Sequence, residues 1–401
     1  MSSCNDGPAK ATIADSEKVS SFAPGTFGFD REFLAKHDST IILRADNAAV
    51  IVSAKYQAKV FTSTADGDGG KSFGWINYKA FDAALDPHMN AYGGENRFWL
   101  GPEGNMFSLF FEKGKDMVFD NWKTPAPIDS ETWQVVENSD QSVSMSKAMR
   151  LRNYMGTELK LKANRRVSIL SRDAILSTIQ MTLDTGVRAV AYRTENSITN
   201  TGEQPWTEES GMPCIWILDM FSPSSSTVVI VPFRKEAKPA DEPVATTDYF
   251  GKVPPERIAY KDSVLLFVAD GKQRGKIGLG PKRAKQVAGS YDAENRILTI
   301  TFFDVDRQGR YLNQEWNTKK PIFRGDAVNA YNDGPLEDGS QMGPFYEIES
   351  VSPAAALRPG ETLSHMHSVF HFTGDEDSLN QLCMQMLGIS IGEVRSSFQS
   401  K

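Results

Sequence analysis

Cysteine is almost absent from this 401-residue chain, which holds only Cys4, Cys214 and Cys383. None is spaced as a metal knuckle or a redox pair, so neither chemistry is expected. Long apolar runs are missing too; none approaches the ~18 residues of a membrane-spanning helix. Positive charge is neither in excess nor concentrated. The formal net charge is −7, and the longest basic cluster is Lys282-Arg283-Ala284-Lys285. A nucleic-acid partner needs clustered cations to displace phosphate counterions, so none is expected. No repeat of about 20–50 residues appears, which argues against a propeller or solenoid. The stretch Gly271–Gly280 contains Gly275-Lys276-Ile277-Gly278 but no Gly-Lys-Ser/Thr, so it is not a nucleotide-binding P-loop.

What remains is β texture. From Phe22 onward, short apolar and β-branched runs alternate with Gly, Asn, Asp and Pro. Examples are Thr40–Leu43, Ala49–Val52, Arg166–Leu170, Thr227–Val231, Val264–Val268 and Ile297–Phe303. Strands spaced by turn signals predict an all-β sandwich or barrel, not alternating β-α units. Helical periodicity is scarce. Its clearest instance follows Asp375, Asp377 or Ser378, any of which can cap a helix with Leu379, Leu382, Cys383 and Met386 on one face. Gly388 would close it, and Asn77–Leu85 is a second, short candidate. The polar stretch Lys235–Asp248 reads as an excursion loop, so residues 22–401 are expected to form one domain. Cys214 and Cys383 lie in apolar surroundings and read as buried thiols.

Residues 1–21 read as a flexible tail. Cys4 stands in Met1-Ser2-Ser3-Cys4-Asn5-Asp6, which resembles the end of a bacterial lipobox, although no charged and apolar leader precedes it. One expectation is a lipid on Cys4 that tethers the protein in the periplasm or at the outer membrane of a Gram-negative bacterium. The other is an ordinary cytoplasmic start.

Three segments carry a wider resemblance: Tyr92-Gly93-Gly94-Glu95-Asn96-Arg97-Phe98-Trp99-Leu100-Gly101-Pro102-Glu103; Thr194–Gly202 followed by Trp206; and Gly343-Pro344-Phe345-Tyr346-Glu347-Ile348-Glu349-Ser350 ahead of Leu357-Arg358-Pro359-Gly360-Glu361. In order and spacing the chain resembles the galactose-mutarotase-like superfamily, nearest to a poorly characterised branch from sugar-degrading Gram-negative bacteria. The resemblance implies a β-supersandwich, a carbohydrate ligand, a sugar cleft lined by the Gly-Gly segment, and Glu349 as general base. It also implies two histidines that this chain lacks, since Tyr92 and Thr201 stand in their places. No organic cofactor is implied.

The residues themselves suggest several constellations. Glu347 and Glu349 lie two apart in a strand and so share a face, where mutual repulsion suits one of them to acid–base work. Three of the five histidines fall at His365, His367 and His371, again on one strand face. They can act as hydrogen-bonding residues of a cleft; His365 or His367 can also replace the family acid, or the two can bind a divalent metal with a carboxylate from the Glu347 and Glu349 strand. Arg97 and Trp99 alternate onto one face near Glu103 and can receive a sugar ring. Asp326, Asn329, Asn332 and Asp333 read either as turn chemistry or as a loop binding hydroxyls or calcium. Trp75, Trp122 and Trp316 are weaker platforms. The leading expectation is an enzyme on a sugar or glycoside, of epimerase, hydrolase or lyase type. The rival is a non-catalytic carbohydrate-binding lipoprotein.

Overall fold

The β-branched runs become strands, and the strands pair into three antiparallel sheets. The computed structural model describes residues 20–235 and 243–398, so Cys4 and part of the Lys235–Asp248 stretch lie outside it. The largest sheet has ten strands, with Thr362–Thr373 and Arg188–Asn200 side by side at its middle. A five-stranded sheet follows the order Gly275–Leu279, Val328–Asn332, Tyr346–Val351, Cys214–Phe221, Arg97–Gly101. A three-stranded sheet runs from Ile41–Ala45 through Ala48–Ser53 to Lys59–Thr64.

Alternation along the strands fixes which side chains meet. On Tyr346–Val351, Ile348 and Ser350 point into the space between the five- and ten-stranded sheets, where Ile348 joins the main apolar core. Glu347 and Glu349 therefore project from the opposite face of the small sheet. On Thr362–Thr373, Phe370 and Phe372 point away from the small sheet, into a second core closed by Leu379, Leu382, Cys383 and Leu387. Each fully buried side chain of this size contributes about 1.5–3 kcal/mol. The ten-stranded sheet is thus covered on both faces near its centre, which explains its unbroken apolar runs.

The C-terminal helix spans Glu376–Leu387, with the Asp375 side chain accepting from Ser378 N–H and Gly388 closing it at φ 74°. The apolar stripe expected on it is buried apart from the half-buried Met386. Three further helices, Phe27–Leu34, Arg172–Ile179 and Ile391–Ser396, were not expected. At six to eight residues they are too short to show a period, and their only sequence signals are the caps Thr26, Ser171 and Ser390. The Asn77–Leu85 candidate shrinks to a single 3₁₀ turn, Tyr78–Phe81.

The turn reading of the Asn-rich segment is corrected. Val328–Asn332 is an inner strand, paired to Gly275–Leu279 on one side and to Tyr346–Val351 on the other. Pairing on both edges outweighs the poor strand propensity of asparagine.

Candidate functional site

The outer face of the five-stranded sheet builds a cleft. Cross-strand register sets Lys276, Tyr331, Glu347 and Met220 in one row. Asn329, Glu349, Leu218 and Arg97 form the next, and Trp216 faces Trp99 beyond it. The cavity over this face measures about 110 Å³, and Glu103, Trp122, Phe250, Arg274 and Phe345 complete its walls. Arg97, Trp99, Glu103 and Glu347, four of the residues expected at a sugar site, therefore line one space.

The two carboxylates differ in depth. Glu347 lines the cavity at 6% exposure, and its Oε1 accepts a hydrogen bond from the Arg97 guanidinium, which lies 5.0 Å over the Trp99 ring. Burial pushes the Glu347 carboxyl up to about 8; Arg97 opposes this and Glu349 reinforces it, but burial dominates. Glu349 has no exposed surface and does not line the cavity. Its Oε2 accepts from Lys276 Nζ at 2.8 Å and Trp216 Nε1 at 2.9 Å, and both donors belong to the cavity lining. Among the described residues its Oε1 has no hydrogen-bond partner. Glu349 thus lies one layer below the cleft. Sequence spacing gave both glutamates one face, but depth depends on what crosses over them from neighbouring strands. Glu103 is likewise raised, chiefly by burial.

The histidines lie elsewhere. His365, His367 and His371 do share a face, but it is the one between the sheets. The Ser350 hydroxyl bridges His365 Nε2 and His367 Nδ1, each at 2.8 Å. His367 Nε2 donates to Asp219 at 2.8 Å, and His371 Nε2 meets Glu95 at 3.1 Å. Burial and the neighbouring His367 push His365 down to about 3. Ser350 projects inward where Glu347 and Glu349 project outward, so His367 and His371 pair with Asp219 and Glu95 and not with either of those glutamates. Among the described residues, no group of three or more His, Cys, Asp and Glu is placed to hold a metal ion.

The Asn-rich segment is also spoken for by the protein. Asp326 accepts from the Tyr249 hydroxyl at 2.5 Å, and Asn329 Nδ2 donates to the same hydroxyl at 3.2 Å. Asn332 is tied to Gly271 N–H and the Gln273 carbonyl, and Asp333 to the Tyr331 hydroxyl and Gly343 N–H. These contacts tie the segment to its neighbours, leaving Asn329 Oδ1 without a hydrogen-bond partner among the described residues. They do not form a hydroxyl- or calcium-binding loop.

Several cleft residues escaped the sequence reading. Trp122, set aside as a weak platform, lines the cavity. Lys276 sits in a glycine-rich run, and its partner is 73 residues away. Lys59 is 3% exposed, behind Arg97 in a small recess continuous in lining with the cleft. Its only sequence signal is a lysine opening an otherwise uncharged strand, Lys59–Thr64. It donates to the Gly93 carbonyl at 3.0 Å. The Gly-Gly pair makes room for this arrangement. A Cβ on Gly93 would lie 2.3 Å from the Trp75 carbonyl oxygen, and one on Gly94 would lie 2.8 Å from Lys59 Cδ; both glycines have positive φ.

Burial, reinforced by Arg97, pushes the Lys59 ammonium down to about 7. Between that value and the ordinary 10.5, the unfolded chain holds a proton that the folded protein lacks. Stability from this group therefore rises with pH across that window and is lost as pH falls through about 7. Lys59→Met should abolish that rise, which urea denaturation of both proteins at pH 6 to 10 would measure. Parallel stability–pH curves would contradict the assignment.

Residues 25–398 match a family of unknown function, DUF6786, and the chain belongs to it. No protein of curated function matches. Among solved structures, a galactose mutarotase-like protein from Lactobacillus casei is similar at 9% identity and TM-score 0.48, covering 83% of this chain and 100% of that one. A galactose mutarotase related enzyme from Lactobacillus acidophilus is similar at 10% identity and TM-score 0.44, covering 84% and 97%. The Slr1438 protein from Synechocystis gives 10% identity and TM-score 0.46, covering 84% and 96%. The fold itself is all-β, three antiparallel sheets with a few short helices. Identities this low say nothing about the cleft, whose chemistry must be argued from its own residues.

Proposed function

We propose that the cleft holds a carbohydrate ring against its indoles and that Glu347 is a proton donor to an acetal or hemiacetal oxygen. The observation that carries this reading is a carboxyl pushed up to about 8 inside an aromatic-lined cavity, beside a guanidinium. A carboxyl that keeps its proton at neutral pH is suited to general acid work. Aromatic faces suit the C–H faces of a pyranose, and Arg97 and Lys276 suit its hydroxyls. Glu349 acts through Lys276, fixing that ammonium at the floor of the cleft.

A second reading, a carbohydrate-binding protein without turnover, is favoured by one specific feature. The carboxylate that resembles the family base is sealed beneath Lys276 and Trp216. NMR of the wild-type protein with free reducing sugars and glycosides separates the two: acid chemistry predicts conversion of some member, and the second reading predicts binding alone. Phe250→Ala removes a 43%-exposed cleft residue and should weaken binding by roughly 3- to 10-fold, the worth of one aromatic contact. Unchanged affinity in that variant would count against a sugar in this cavity.

A further inference from the structure

One wall of the cleft is a stack of aromatic rings around Trp122. Trp122 lines the cleft, and its ring lies nearly parallel to Phe110, with centroids 5.9 Å apart and planes 8° from parallel. Phe110 lines a second groove of about 640 Å³, whose edge includes Asn121 and Lys123, the neighbours of Trp122 in sequence. Cleft and groove thus draw on neighbouring residues of the 121–124 segment, with the stacked Trp122 and Phe110 rings between them.

The groove has a pronounced charge. Lys113, Lys123, Arg150 and Arg152 line it, against Glu112 alone. All four cations are exposed, and none makes an ion pair among the described residues. Arg152 even lies opposite Glu158 in register without pairing to it, and Arg150 lies opposite Lys160. Like charges in cross-strand positions cost stability, so this placement is not one that folding favours. It also stands out on a chain of net charge −7. A buried Thr124 hydroxyl in the groove lining has no partner among the described residues. At the cleft itself, Arg274 is stacked 3.9 Å over Phe250 and again has no ion pair there.

We propose that the groove binds the anionic units of a glycan chain whose end residue occupies the cleft, so that the ligand is an acidic oligosaccharide. The inference rests on the carbohydrate reading of the cleft and names its substrate class. The cations carry the charge recognition, and the chain passes from groove to cleft along the edge of the stacked Trp122 and Phe110 rings. Carboxylate and sulfate ester satisfy the same cations, so the test must distinguish uronate chains from sulfated ones.

Calorimetric titration with size-matched hexasaccharides provides that test: oligogalacturonate, a sulfated galactan (carrageenan) fragment free of uronate, and neutral manno-oligosaccharide, alongside galacturonate and mannose. One of the acidic hexamers should bind at least about tenfold tighter than the neutral hexamer, and the margin should shrink as salt rises. The exposed double variant Lys123→Glu, Arg150→Glu should erase the margin while leaving monosaccharide binding unchanged. Equal affinity for acidic and neutral hexamers, or a margin that survives the double variant, overturns the groove but leaves a sugar in the cleft. Failure of every sugar, monomer and hexamer alike, overturns both.

Discussion

Glu347→Gln is expected to lower turnover of any converted sugar by about 100-fold or more while leaving binding largely intact. The amide keeps the shape of the side chain and can still meet Arg97, but it has no proton to give. The wild-type pH profile carries the same information. A carboxyl pushed up to about 8 is protonated below that value, so an activity that needs the acid should fall as pH rises through it. Glu347→Gln should lack that alkaline limb. Stability supplies a reading independent of turnover. Between the ordinary 4.5 and about 8 the folded protein holds a proton that the unfolded chain has released. Stability from Glu347 is therefore complete below 4.5 and is lost as pH rises through about 8. The glutamine variant should be flatter over this window. Equal turnover in the two proteins would remove Glu347 from the chemistry. Unequal stability curves with equal turnover would leave it a buried acid with a purely structural role.

How far the sequence disclosed this site depended on the range of the interaction involved. Alternation within one strand is local, and it placed Arg97 with Trp99 and Glu347 with Glu349 correctly. The C-terminal helix was legible because Asp375, its apolar stripe and Gly388 lie within 14 residues. Parity also put His365, His367 and His371 on one face, but parity cannot say which of two faces looks into a cleft. That choice is made by Ser350, on the strand just before, and by Asp219, 148 residues away from His367. The same limit hid the depth of Glu349, since Trp216 and Lys276 arrive from 133 and 73 residues away. Asn329 and Asn332 looked like turn residues because their local preference is for turns, and only pairing on both edges makes them strand.

The depth of Glu349 leads to the largest expected effect on stability. Lys276→Met should cost about 3–5 kcal/mol, because it leaves a carboxylate with no exposed surface facing an apolar side chain. The lysine itself is nearly buried, 5.0 Å over the Trp216 ring, so water cannot readily replace it. Trp216 would remain as the one donor to Glu349, which is too little for a buried charge. Adding Glu349→Gln to Lys276→Met removes the stranded charge while an amide oxygen still accepts from Trp216. The double variant should regain most of the loss, since replacing a buried pair entirely is often near neutral. Urea denaturation of the wild type, both single variants and the double completes the cycle. A positioning role for Glu349 adds one more expectation: Glu349→Gln should disturb sugar binding through a loosened Lys276, and Lys276→Met, which removes the contact itself, should disturb it at least as much. If the two single changes act additively on both stability and binding, Lys276 and Glu349 do not work as a unit, and Glu349 has no route to the ligand through the lysine.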